Sequence, residues 1–157
     1  MVSELDRLYG GAARVQRLRY ALAAERFEGH FGAGAEVFLS VPGRSELGGN
    51  HTDHQHGCVL TAAVDLDSVA AARRQDGMFI DVISEGYAPF SVDLDSLAPV
   101  EGEKGHSAAM VRGVAAGLQA QGYRIGGFAA HITSAVLRGS GLSSSASFEV
   151  LIGSILN

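Results

Sequence analysis

A chain of 157 residues and 16.3 kDa, 46% hydrophobic and 18% charged, has the balance of one globular domain with a core of useful size, not of a disordered segment. Its formal net charge of -5 argues against broad attraction to nucleic-acid phosphates or anionic membranes, yet backbone N–H groups could still hold a small phosphate. Cys58 is the single cysteine, which excludes an intrachain disulfide and makes a reducing, cytoplasmic setting the expectation; the Val-Leu after it favours a small buried residue over a reactive thiol.

The N-terminus, MVSELDRLYGG, lacks the apolar core of a signal peptide, and no run approaches the ~18–20 apolar residues of a membrane span. Residues 11–27 then predict a helix with Val15, Leu18, Leu22 and Phe27 on its apolar face. Glu36–Val41 predicts a short strand that Pro42-Gly43 ends. Cys58–Ala72 predicts one or two strands, with Gln75-Asp76-Gly77 as a hairpin turn into Met78–Ser84, and Phe90–Leu94 a further short strand. Ser107 is placed to cap a helix running to about Gln121, with Val111, Val114, Ala115 and Leu118 inward and Gly122 closing it. Phe128–Leu137 reads as a strand, and Phe148, Leu151, Ile152 and Ile155 as a helical stripe up to the terminus. Strands come mainly first and helices later, an order that argues for an α+β fold.

Between the last strand and last helix stands Leu137-Arg-Gly-Ser-Gly-Leu-Ser-Ser-Ser-Ala-Ser147. Gly139 and Gly141 allow close approach of the backbone to a ligand, and the helix N-terminus offers unpaired N–H groups and about half a positive charge. Ser143, Ser144, Ser145 and Ser147 add hydroxyls for phosphate oxygens or a magnesium shell. No Gly-Lys-Ser/Thr follows, so this is not a Walker A loop, and Gly139-Ser140-Gly141 is too compressed for a nucleophile elbow. A serine-capped helix after a plain glycine turn is the bland alternative.

The second polar segment is Pro42-Gly-Arg-Ser-Glu-Leu-Gly-Gly-Asn-His-Thr-Asp-His-Gln-His-Gly57. Its glycines permit turns that gather Arg44, Asn50, His51 and Asp53. A carboxylate, an imidazole and an amide complement the hydroxyls of a sugar, and a guanidinium could steady a phosphoryl group in transfer. His51, Asp53, His54 and His56 also have the donor types of a zinc site, for which only His106 and His131 remain downstream; His131 reads rather as a strand residue with a satisfied ring. A solvated turn is the third possibility.

GSGLSSSAS resembles the phosphate loop of the GHMP kinases, its triple serine the galactokinase branch in particular; the Arg44–His54 stretch resembles the galactokinase signature Gly-Arg-x-Asn-Leu-Ile-Gly-Glu-His-Thr-Asp-Tyr. The resemblance implies the α+β fold of a GHMP kinase N-terminal domain, related to a ribosomal-protein domain, with a mixed sheet packed on helices and truncated before the C-terminal domain. It implies residues 1–35 as a lead-in, 36–64 as the sugar-binding segment, 65–137 as strands and helix, and 138–157 as the ATP-phosphate loop and start of the next helix. It further implies transfer of the γ-phosphoryl of ATP to the anomeric hydroxyl of galactose or a related sugar. Arg44 then stands beside the transferred phosphate and Asn50, His51 and Asp53 bind sugar. Gly139, Ser140, Gly141, Leu142, Ser143, Ser144, Ser145 and Ala146 hold ATP, and Ser145 helps hold magnesium. Departures are Glu46 for Asn, Gly48 for Ile, Asn50 for Glu and His54 for Tyr; Asn50 loses a charge that contacts sugar, which bears on the choice of sugar. The family's acidic magnesium ligand and its aspartate near the anomeric hydroxyl lie beyond Asn157, and Asp65, Asp67 and Asp81 read as hairpin-end or surface acids. The expectation is a fragment, inactive alone, whose last apolar helix has nothing to pack on; a sensor on the same fold and a zinc hydrolase are the rival readings.

Overall fold

A computed structural model describes residues 4–49, 52, 55–137 and 139–157. Two helices, α1 (Glu4–Tyr9) and α2 (Ala13–Phe31), lead into strands β1 (Val37–Gly48), β2 (Leu60–Arg74), β3 (Phe79–Ser84) and β4 (Phe90–Asp93). Helix α3 (Ser107–Ala120), strand β5 (Phe128–Ser134) and helix α4 (Ser144–Leu156) follow. The strands form one sheet in the order β1-β2-β5-β3-β4, antiparallel except for the parallel pair β3/β5. This is the mixed α+β architecture expected from the sequence.

The hairpin expected between residues 58–72 and 78–84 does not form, because β5 enters between β2 and β3. Its sequence, FAAHITS, is small or apolar on both faces apart from His131, which suits a central strand. The turn survives as a connection: the Gln75 amide donates to Phe79 O, Asp81 Oδ2 and Phe128 O. Nor does Pro42-Gly43 end β1. The strand continues to Gly48 through a register shift between Pro42 and Arg44, and an edge strand tolerates a proline that cannot donate.

Alternate side chains feed two faces. Ala70, Ala72, Ile80, Val82, Phe128, Ala130 and Ile132 meet Val111 and Ala115 of α3 and Leu151 and Ile152 of α4 in the main core. Helix α4 is therefore packed, contrary to the expectation that it lacked a partner. On the other face Ala71 and Ala129 meet Ala23 and Phe27 of α2. The α2 face is a correction: Val15, Leu18 and Leu22 are 67%, 70% and 44% exposed, and Ala13, Ala23 and Phe27 are the buried residues. Ala23 against Ala71 and Ala129 allows α2 to lie close to the sheet. At α3, His106, not Ser107, occupies the N-cap position, and neither caps with its side chain.

Candidate functional site

The segment from Val136 to Ser145 is built around backbone conformation. Gly139 (φ 77°), Gly141 (φ 76°) and Ser143 (φ 57°) are left-handed at every second residue, so the loop curls tightly before α4 begins at Ser144. A serine in that region is strained on its own account, and such curls present N–H groups to anions. Ser143 and Ser144 are half-buried and Ser145 is exposed, so none is packed into the core. The Ser140 hydroxyl and backbone N–H both donate to the Leu137 carbonyl, at 2.6 and 3.3 Å, which closes the turn at the start of the loop. Ser147 is a correction: it is 3% exposed and bonded inside the fold, away from any ligand.

Strand β1 touches this loop directly. The Arg44 N–H donates to the Leu142 carbonyl at 3.1 Å. Gly43 makes the approach possible, since a Cβ there would sit 3.0 Å from both the Leu142 oxygen and Val136 Cγ1. The bulge at Pro42/Arg44 thus brings the predicted arginine and the predicted anion loop side by side. Of the polar segment that follows, Asn50, His51, Asp53 and His54 lie outside the described residues. On either side of them the chain is tightly turned: Thr52 Oγ1 donates to Gly49 O at 2.8 Å, and Thr52 O accepts from the amides of Gln55 and Gly57. His56 is exposed with φ 63°, and Cys58 is exposed rather than buried. No cluster of three metal-ligating side chains occurs among the described residues.

Sequence reasoning missed the cleft beside the loop. About 670 Å³ in volume, it is walled by Tyr87, Pro89 and Phe90 before and within β4, by His106 and Met110 at the start of α3, and by Ile132, Val136 and Phe148. Ser144 and Ser145 line one end, so the N-termini of α3 and α4 both open into the same space. Two macrodipole ends and an apolar wall suit a ligand with an anionic tail and a flat ring. The α3 side is held by Arg112, buried at 7%, which clasps the Glu103 carboxylate at 2.6 and 2.8 Å and also donates to the carbonyls of Asp93 and Ser96. Bonding to Arg112 lowers the Glu103 pKa against a small cost of burial, so Glu103 is committed although it lines the cleft.

Asp67 was also misread. It is 6% exposed and accepts from Tyr9 and Ser40 at 2.5 Å each and from Arg19. Burial pushes its carboxyl up, but those three donors outweigh burial and hold the pKa below the ordinary value. Tyr9 is shifted upward, first by burial and then by its bond to Asp67. His131 does not have a satisfied ring: Nδ1 has no hydrogen-bond partner among the described residues, and the imidazole stacks on His30 with centroids 5.9 Å apart. Burial lowers its pKa.

Residues 25–74 match the family model of the galactokinase galactose-binding signature. A galactokinase of Roseiflexus sp. (strain RS-1) is 35% identical over 128 residues, covering 82% of this chain and 32% of the relative. The crystal structure of Lactococcus lactis galactokinase complexed with galactose aligns with a TM-score of 0.76 at 32% identity, over 88% of this chain and 36% of that one. Methanococcus jannaschii mevalonate kinase shares the fold, with a TM-score of 0.59 at 18% identity over 76% of this chain and 38% of that one. The chain spans about a third of the length of these relatives.

Proposed function

Because the chain is a galactokinase relative within the GHMP kinase family, we propose that it forms the sugar- and nucleotide-binding part of a kinase that transfers the γ-phosphoryl of ATP to the anomeric hydroxyl of galactose or a related sugar. The observation that carries this reading is the bond between the Arg44 N–H and the Leu142 carbonyl, which sets the arginine of the sugar segment against the anion loop.

In this reading the amides of 139–146 and the N-terminus of α4 receive the triphosphate, and the cleft walled by Tyr87, Phe90 and Met110 receives the base. The curled loop, with its left-handed Gly139, Gly141 and Ser143, supports this reading, in which the hydroxyl of Ser145 contributes to a magnesium shell. Magnesium would neutralise charge on the phosphates. Arg44 steadies the group in transfer, and Asn50, His51 and Asp53 orient the acceptor; positioning and charge neutralisation make up most of such catalysis. The acidic magnesium partner and the aspartate near the acceptor hydroxyl are assigned to a chain of galactokinase length, so binding is expected of these 157 residues and turnover of the longer protein. The family likeness favours phosphoryl transfer over zinc-dependent hydrolysis.

Calorimetric titration of the 157-residue chain with magnesium-ATP and with galactose tests the reading. Saturable binding of each is expected, with Asp53→Ala abolishing the galactose heat and sparing that of ATP. A folded chain that binds neither overturns it.

A further inference from the structure

The serines of the loop and helix divide into two groups. Ser144 and Ser145 line one end of the cleft, whereas Ser147, less than one turn further, faces inward. Its hydroxyl lies 3.1 Å from the Val41 carbonyl of β1 and 3.0 Å from Ser68 Oγ of β2. Ser68 Oγ is 2.8 Å from Ser134 Oγ at the end of β5, and Ser134 Oγ accepts from the Val136 N–H at 3.1 Å. The Ser147 hydroxyl is shared between the Val41 carbonyl and Ser68 Oγ, and either hydroxyl of the Ser68–Ser134 pair can donate to the other, so the three serines form one relay.

The relay closes a ring. It starts at Val136, whose side chain abuts Gly43, and ends on Val41, two residues before Gly43. Within that ring the Ala135 N–H donates to the Asp67 carbonyl at 2.8 Å and the Arg44 N–H to Leu142. The loop is thereby fixed to β1, which carries Arg44, and to its neighbour β2. Its left-handed Ser143 needs such fixing, since an unfavoured backbone conformation persists only where its surroundings hold it.

The geometry points to Ser147, and to Ser68 at the wall of the cleft, as positioning residues that hold the anion loop preformed and in register with Arg44. This rests on the nucleotide reading above. The test joins hydrogen–deuterium exchange of the ligand-free 157-residue chain with its affinity for magnesium-ATP. Ser147→Ala and Ser68→Ala are expected to speed exchange of amides 139–145 and to weaken ATP binding by about fivefold to tenfold, the usual effect of one lost hydrogen bond. Ser68→Thr, which keeps the hydroxyl on a strand that suits β-branched residues, is expected to restore both. Phe27→Leu, which loosens the opposite face of the sheet, should lower the melting temperature and leave both unchanged. Unchanged loop exchange in Ser147→Ala overturns the inference, as does an equal loss of ATP affinity in Phe27→Leu. Failure of the nucleotide reading is separate: it shows as no ATP binding by the unsubstituted chain, with the exchange rates still deciding whether the hydroxyls hold the loop.

Discussion

The two faces of the sheet are built on different chemistry. Against α3 and α4 the contact is apolar, with Ile80, Ile132, Leu151 and Ile152 almost wholly excluded from water. Against α1 and α2 it is thin in carbon and rich in polar bonds: Ala23, Phe27, Ala71 and Ala129 pack beside the Tyr9–Asp67–Arg19 network and the stacked His30 and His131. The first face depends on volume and the second on charge state, and substitutions should report that division.

The largest effect is expected on the apolar face. Leu151→Ala should cost about 3–4 kcal/mol in urea unfolding, the range for removing a large aliphatic side chain from a packed core. On the polar face, Arg19→Ala should cost about 3 kcal/mol, because it strands a buried carboxylate and removes donors to the carbonyls of Asp67 and Thr133. A cost below about 1 kcal/mol would show that the network is not a structural support. A smaller effect should be pH-dependent. Burial, reinforced by His30 and Arg26 and opposed by Glu85, holds the folded His131 pKa below the unfolded value near 6.5. The unfolded chain then binds more protons below that value, so His131 contributes a loss of stability as pH falls from about 7 towards 5. The urea midpoint should drop over that window, and His131→Leu should flatten the drop. Smallest is Leu18→Ala: its side chain is 70% exposed, and the unfolding free energy should change by no more than about 0.5 kcal/mol.

The same division explains what the sequence made legible. The stripes of α3, β5 and α4 were readable because apolar spacing and burial coincide there. Helix α2 misled because its leucines face outward, while alanine and arginine, which no hydrophobic pattern singles out, face the sheet. A Gln-Asp-Gly turn is a local signal, and the insertion of β5 some 50 residues later in the chain is not, so the hairpin was misassigned. At the candidate site, glycine and serine spacing marked the loop and Arg44 marked its neighbour, yet no spacing ties Tyr87–Phe90 to His106–Met110, and the cleft emerged only from the fold. Asp67 was lost for a related reason: its donors, Tyr9 and Arg19, are about 50–60 residues away in sequence.

The late arrival of β5 also governs how the chain can assemble. Strands β2 and β3 each present an unpaired edge until residues 128–134 are available to join them, so the centre of the sheet is completed by a segment more than 40 residues beyond β3. Folding is therefore dominated by distant contacts and should be slow, and the nascent chain carries two sticky strand edges until that segment has emerged.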